Sequence, residues 1–238
     1  MFCSQKMDTG KIINNLFHEI KSPLFNIKSF LETLYEYYFH LTDSQILAFL
    51  EIANQETIRL VRLTSTSLDL SRLHSNSPLP YYLLCIKQLI NQVTKSYEIT
   101  RLQKNIIFYV KMPFLVPKYI GSYDLILQVL TNLISNSLKF TYPFGLIEIK
   151  LRIINSLCIK TRKKSFFLRI DIVDDGIGIS KVNKKILFNR FKQLSKVRYY
   201  TEGLGLGLSI VKELMEGQAR HINLISILNK GTCVILNF

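Results

Sequence analysis

The sequence predicts two structural units, an α-helical hairpin followed by an α+β sandwich in which helices cover one face of a sheet. Three observations carry this prediction. Apolar residues recur every three or four positions from about residue 9 to residue 73, which is the period of one helix face. A polar segment with two prolines then occupies residues 75–80. Beyond it, segments with the two-residue period of strands alternate with helical segments.

Two apolar stripes joined by a short turn predict the hairpin. Residues 41–44 form the turn and supply side chains that cap a helix N-terminus, and Pro23 predicts either a kink in the first helix or a loosened turn before it. A hairpin cannot bury its own apolar face, whereas two copies bury it as a four-helix bundle, so the sequence predicts a homodimer. The first stripe consists of Ile13, Phe17, Ile20, Leu24, Ile27, Leu31, Leu34 and Tyr38, and the second of Phe49, Ile52 or Ala53, Glu56, Leu60, Leu63, Ser67 and Leu70.

The second unit is predicted segment by segment. Residues 83–103, 122–141 and 206–216 have the helical period, whereas residues 105–112, 146–154, 166–173, 222–228 and 232–238 suit strands. The basic run at residues 160–164 reads as a hairpin loop. We place the hairpin in residues 1–75, the linker in 76–80 and the sandwich in 81–238.

Composition excludes several classes of protein. With 48% hydrophobic and 20% charged residues among 238, the chain is not of the disordered kind, and no apolar run reaches the roughly 18 residues that span a bilayer. The net charge of +14 suits a nucleic acid, an anionic membrane or an acidic partner. The basic residues are spread along the chain, and Ile, Lys, Asn, Phe and Tyr are abundant. Both observations favour translation from an AT-rich genome, and not a binding partner, as the cause of the positive charge.

Two glycine clusters predict a nucleotide site. Gly176 and Gly178 follow a predicted strand, and Gly203, Gly205 and Gly207 lead into a predicted helix. Such loops let backbone amides approach phosphate oxygens. Neither cluster fits a Walker loop or a Rossmann fingerprint, and each cluster alone is weak evidence for a nucleotide site.

Polar residues on two helices are the remaining candidates. Asn132, Asn136 and Lys139 share one face of an otherwise apolar helix, either as a solvated face or as amide ligands of Mg²⁺ with a cation for phosphates. His18 has Glu19 beside it and is either an ordinary helix residue or an oriented nucleophile.

Five segments, in order, closely resemble the motif boxes of the sensor histidine kinases. They are the H box, the N box, the first glycine box, the F box and the second glycine box, at residues 17–24, 132–141, 174–179, 188–191 and 203–208. The resemblance covers residues 10–238. Within the family, residues 24–34 and 121–125 look most like the cyanobacterial NblS-type kinases and their plastid-encoded sensor-like counterparts.

The resemblance implies a dimerisation and phosphotransfer hairpin followed by an ATP-binding domain of the fold shared with Hsp90-type ATPases. His18 would accept the γ-phosphoryl group of ATP. Glu19 would hydrogen-bond the other ring nitrogen of His18 and help to control the proton there, and the Ser22 hydroxyl would orient a water in a phosphatase reaction. The phosphoryl group would then pass to an aspartate on the receiver domain of a response regulator. No nucleic acid is implied.

The resemblance also assigns the nucleotide pocket. Asn136 with Asn132 would hold Mg²⁺, Lys139 would contact phosphate, and Phe140 would pack near the nucleotide. Asp174 would accept a hydrogen bond from the adenine amine, while Gly176, Gly178, Gly203, Gly205 and Gly207 would shape the pocket and its lid.

Some positions depart from the family pattern. Leu204 stands where Thr or Ser is common, Gln193 where many relatives have Arg, and Ser22 where Thr is usual. No transmembrane helix, HAMP relay or PAS sensor precedes the hairpin, and no import peptide is recognisable. An AT-rich organelle genome would explain both the composition and the missing import peptide, so the resemblance to the plastid-encoded kinases implies the plastid stroma or, for a bacterial protein, the cytoplasm. Two alternatives stay open: a degenerate kinase acting as dimeric scaffold or phosphatase, and a basic nucleic-acid-binding module.

Overall fold

The computed structural model describes residues 9–74, 80–157, 164–184, 186–188, 207–218 and 220–238. The chain divides into two compact units, Met1–Asn76 and Ser77–Phe238. None of the helices in these ranges is long and apolar enough to cross a membrane.

The first unit is the predicted hairpin. Helix α1 (Thr9–Tyr37) leads through a 3₁₀ turn (Tyr38–His40) into α2 (Asp43–His74). The Phe30 and Phe49 ring centroids lie 5.6 Å apart in the seam between the helices, where Ala53 is buried. Helix α1 continues through Pro23, so the kink predicted there stays a prediction.

The turn between the helices is closed by a reciprocal pair of hydrogen bonds. The Thr42 backbone amide donates to Oε1 of Gln45 at 2.9 Å, and the Gln45 amide donates to Oγ1 of Thr42 at 3.4 Å. This capping box satisfies two amides that the first turn of a helix leaves without partners. The cap predicted within residues 41–44 is thus confirmed at Thr42.

Part of the hairpin's apolar surface faces outward. Leu24, Leu31 and Tyr35 are 56%, 49% and 90% exposed, and with Ile27 they line an open groove along α1. The hairpin therefore buries one set of apolar residues between its two helices and leaves another set, along α1, exposed.

The second unit contains a five-stranded and a two-stranded sheet. The larger sheet has the order β2-β4-β5-β7-β6, in which β2 and β4 are parallel and the other pairs antiparallel. Strand β1 pairs with β3 in the smaller sheet. The elements are β1 (Tyr82–Leu84), α3 (Ile86–Ser96), α4 (Glu98–Gln103), β2 (Ile107–Lys111), β3 (Tyr119–Gly121), α5 (Tyr123–Phe140), β4 (Leu146–Leu157), β5 (Lys164–Asp174), α6 (Lys181–Lys184), α7 (Gly207–Gly217), β6 (His221–Ile227) and β7 (Gly231–Asn237).

The core lies between the larger sheet and its helices. Alternate residues of the central strands are buried, such as Ile149 and Ile170, and the three longer helices each bury one stripe, which includes Ile90 of α3, Leu130 of α5 and Val211 of α7. This arrangement confirms the predicted sandwich.

The structure corrects two details of the second unit. The segment predicted as one helix over residues 83–103 begins with β1 and is divided at Tyr97 into α3 and α4. In addition, β2 pairs in parallel with β4 across a long connection, a pairing that the segment-by-segment prediction does not contain. Both details depend on partners distant in sequence. Of the loop predicted at residues 160–164, only Lys164 lies within the described residues, where it begins β5.

Candidate functional site

Helix α5 places two amide side chains beside the start of α7. Its apolar stripe faces the core, which leaves Asn132 and Asn136 half-buried at its edge. A Cβ atom added to Gly207, the first residue of α7, would lie 3.5 Å from Nδ2 of Asn136 and 3.7 Å from Oδ1 of Asn132. The structure therefore brings together part of the predicted N box and the end of the second glycine box.

The C-terminus of α5 contacts the first glycine loop, residues 174–179. The carbonyl of Phe140 accepts a hydrogen bond from the Ile177 amide at 3.0 Å. A Cβ atom at Gly176 would lie 2.2 Å from that same carbonyl oxygen, so the close approach requires glycine. Nζ of Lys139 lies 5.2 Å from the Phe140 ring centroid, where it makes a cation–π contact.

Asp174 is a buried carboxylate at the end of β5. Its Oδ1 accepts hydrogen bonds from the amides of Gly176 and Thr232, and its Oδ2 accepts one from Oγ of Ser137, each at 3.2 Å. Burial raises the pKa of Asp174 above its usual range; the bonds from Gly176, Ser137 and Thr232 oppose this effect, and the nearby Asp175 adds to it.

The first glycine loop is also tied to the turn between β6 and β7. The Ile179 amide donates to Oγ of the buried Ser226 at 2.8 Å, and that hydroxyl donates to the Gly231 carbonyl at 2.8 Å. The Asn229 amide donates to the Ile177 carbonyl at 2.7 Å. The turn between β6 and β7 thus fixes the backbone of the first glycine loop.

Replacing Ser226 with alanine is expected to lower the free energy of unfolding by about 1–3 kcal/mol, because the half-buried Ile179 amide loses its acceptor. Urea unfolding of the full chain measures this change. Ser96→Ala is the control, since its hydroxyl donates only to Val93 in its own helix, and a change below about 0.5 kcal/mol is expected there. Equal losses in the two variants would contradict the importance of the loop contact.

The other predicted site residues lie elsewhere or outside the described residues. His18, Glu19 and Ser22 belong to α1 of the first unit, where Ser22 is exposed one turn after His18. The remaining predicted residues lie outside the described residues. They are Gly203 and Gly205, F-box residues 189–191, and the two positions that depart from the family pattern, Leu204 and Gln193.

Three functional candidates escaped the sequence analysis: Ser137, Ser226 and Thr232. A polar residue in the middle of an apolar helix, such as Ser137, was one available signal. Ser226 and Thr232 flank a turn marked by Asn229 and Gly231, which have φ values of +60° and +99°. Their role depends on contacts with the distant glycine loop, which no local pattern reveals.

The residues present fit a nucleotide accompanied by a divalent cation. Among the described residues, no group of three or more His, Cys, Asp or Glu side chains is placed to hold a metal. A cation at this site would instead take amide oxygens of Asn132 and Asn136 together with phosphate oxygens of the nucleotide. The proximity of both amides to Gly207 is consistent with such shared coordination.

Two family models match the chain, one for each unit. The His Kinase A (phospho-acceptor) domain matches residues 9–76, and the histidine kinase-, DNA gyrase B- and HSP90-like ATPase matches residues 121–238. The chain belongs to the sensor histidine kinases. The resemblance of its five motif boxes to this family is thereby confirmed.

Curated relatives extend over nearly the whole kinase chain. The sensor-like histidine kinase ycf26 of Pyropia yezoensis is 42% identical over 227 residues, which cover 94% of this chain and 35% of the relative. Drug sensory protein A of Synechocystis is 38% identical (94% and 34% covered), and the sensor histidine kinase WalK of Bacillus subtilis is 30% identical (97% and 37%). The chain thus spans about a third of the length of these relatives.

Solved structures share the fold at low sequence identity. The histidine kinase AdeS of Acinetobacter baumannii has a TM-score of 0.70 at 19% identity, with 93% of this chain and 96% of that one covered. The histidine kinase ThkA, solved in complex with the response regulator protein TrrA, has a TM-score of 0.73 at 22% identity, with 96% and 61% covered.

Proposed function

We propose that this kinase chain autophosphorylates His18 from Mg-ATP and passes the phosphoryl group to an aspartate of a response regulator. The observation that carries the proposal is the pairing of a phospho-acceptor domain with an ATPase-like domain whose Asn132, Asn136 and Gly207 lie together. The solved structure of full-length ShkA, which shares the fold with a TM-score of 0.64 at 21% identity, is a complex with AMPPNP, which supports an ATP site here.

In the proposed pocket, each group binds a different part of ATP. Asp174 accepts a hydrogen bond from the adenine amine, and Lys139 contacts phosphate. Phe140 packs near the nucleotide, and Gly176, Gly178, Gly203, Gly205 and Gly207 shape the pocket and its lid. Asn136 and Asn132 hold Mg²⁺, which neutralises charge on the phosphates when bound.

The proposed phosphotransfer is a direct displacement at the γ-phosphorus. One ring nitrogen of His18 attacks this atom, the bond to the β–γ bridging oxygen breaks, and ADP leaves with the electron pair. Glu19 accepts a hydrogen bond from the other ring nitrogen, which orients the ring and stabilises the charge that develops on it. Ser22, one turn further along α1, orients water in a separate phosphatase reaction, in which the water oxygen attacks the phosphorus of the phosphorylated aspartate and inorganic phosphate leaves.

We also propose that two copies pair through their hairpins. The uncovered stripe with Leu24, Ile27 and Leu31 supplies an apolar face, and each fully buried side chain of this size contributes about 1.5–3 kcal/mol. A second copy offers the same stripe, so the pair closes as a four-helix bundle.

Leu31→Asp combined with Leu60→Asp is expected to convert the dimer to monomers at micromolar concentration or to unfold the hairpin, because it places carboxylates on the apolar face. Sedimentation measures the mass. Ser29→Asp with Asn54→Asp is the control, since both side chains are exposed and polar, and it should remain dimeric. A monomeric parent chain would contradict the proposed bundle.

The location and partner are proposals of the same kind. Likeness to ycf26 and a composition typical of an AT-rich genome support the plastid stroma, while the bacterial relatives support a cytoplasmic alternative. The ThkA–TrrA complex supports a receiver domain as the acceptor of the phosphoryl group.

The decisive experiment is incubation of the chain with ATP radiolabelled at the γ-phosphate and Mg²⁺. We expect a protein label that is lost in acid and stable in alkali, as for phosphohistidine. Absence of label with retained ATP binding would favour the scaffold or phosphatase alternative. A nucleic-acid-binding module would instead show affinity for nucleic acid that falls steeply with salt.

Asn136→Asp is expected to slow labelling by about tenfold, because it changes the ligand charge at the proposed Mg²⁺ site. Initial labelling rates over a range of Mg-ATP concentrations measure the effect. Asn91→Asp adds the same charge on an exposed face of α3 and should leave the rate unchanged. Unchanged nucleotide affinity and labelling in the Asn136 variant would exclude it as a ligand.

A further inference from the structure

The carboxylate of Asp174 has almost all of its acceptor capacity filled by the protein. Two carboxylate oxygens offer about four lone-pair positions. Within the described residues, the Gly176 and Thr232 amides occupy Oδ1, and the Ser137 hydroxyl occupies one position on Oδ2. One acceptor position therefore remains, and it belongs to Oδ2.

Ser137 differs from the other two donors in kind. The Gly176 and Thr232 donors are backbone amides, whose positions follow from the glycine loop and from β7. Ser137 donates from a side chain on α5 that is 5% exposed, and it reaches an oxygen that no backbone amide of the described segments contacts. The carboxylate torsion of Asp is soft, and among the described residues the Ser137 hydroxyl is the donor that restrains Oδ2 directly.

We propose that Ser137 is a positioning residue that holds Oδ2 of Asp174 so that its last acceptor position receives one N–H of the nucleotide base. This inference rests on the proposed function, in which Asp174 binds the adenine amine. A carboxylate only accepts hydrogen bonds, so it attracts an exocyclic amine and repels a carbonyl oxygen at the same place. Ser137 thus contributes to the choice of base without touching it.

The test compares ATP with the triphosphate of purine riboside, which lacks the exocyclic amine. Ser137→Ala is expected to weaken ATP binding about tenfold, the loss typical of a hydrogen bond to a charged group. Binding of the amine-free analogue should change less than twofold. A purely structural role would weaken both ligands equally, and either that result or no change for ATP would overturn the proposal.

Asp174→Asn separates failure of the inference from failure of the proposed function. The expected result is a selective loss of ATP affinity, to which Ser137→Ala adds less than twofold in the double variant, because both act on one contact. Unchanged ATP binding in Asp174→Asn would overturn the adenine role of Asp174 itself. A selective loss in Asp174→Asn without one in Ser137→Ala would overturn the inference alone.

Folding is monitored by thermal unfolding of each full-length variant. Ser96→Ala, whose hydroxyl bonds only within α3, is the matched control and should bind both ligands as the parent chain does. Should the alanine variant not fold, Ser137→Cys keeps the side-chain size with a much weaker donor. The same selective loss of ATP affinity is then expected, and an equal loss for both triphosphates contradicts the proposal.

Discussion

Replacing His18 with alanine is expected to abolish the acid-labile label completely, because the imidazole is the proposed phosphoryl acceptor. ATP affinity should stay within about twofold of the parent chain, since His18 belongs to α1 and the nucleotide site to the second unit. Scintillation counting of the protein after ATP treatment, together with a direct nucleotide-binding measurement, checks both expectations.

His40→Ala is the matched control for this variant. His40 lies in the 3₁₀ turn of the same unit and is exposed, so its loss removes an imidazole without altering the helices. This variant should label as the parent chain does. Label retained after His18→Ala, or lost after His40→Ala, would show that the phosphoryl acceptor has been wrongly assigned.

Gly178→Ala is expected to destabilise the second unit by about 3 kcal/mol or more and to eliminate ATP binding. Gly178 has a φ of +62°, which side chains other than glycine rarely adopt. An added Cβ atom would also lie 1.9 Å from the carbonyl oxygen of Ile227, a backbone atom that cannot move without the β6–β7 turn. Urea unfolding and ATP titration measure the two losses.

Gly217→Ala tests whether this effect belongs to the loop. Gly217 ends α7, and an added Cβ atom there meets nothing within 4 Å. The variant should unfold within about 0.5 kcal/mol of the parent chain and bind ATP equally well. If both alanine variants behave alike, the close packing of the first glycine loop does not control nucleotide binding.

The features predicted from the sequence are those with a local signature. The hairpin follows from a helical period, the cap at Thr42 from the capping residues within 41–44, and the glycine loops from their position between a strand and a helix. The parallel pairing of β2 with β4 has no such signature, because the two strands are joined through β3 and α5. The three-residue strands β1 and β3 are too short to show any period.

The site was predictable to a similar degree. Asn132 and Asn136 stand out as amides on an apolar helix, and the structure places both beside Gly207. The support of Asp174 was not predictable, since Ser137 and Thr232 lie 37 and 58 positions away in sequence. Only the folded sheet brings these donors to one carboxylate.

The position of β7 in the larger sheet has a consequence for how the protein is made. Strand β7 follows the other described strands of its sheet in sequence, yet it lies between β5 and β6 and supplies the Thr232 amide to Asp174. A ribosome therefore releases this strand after all of its neighbours. Until then, a nascent chain has an open sheet edge at β5 and an incompletely held Asp174, so a competent nucleotide site forms only when synthesis has passed β7.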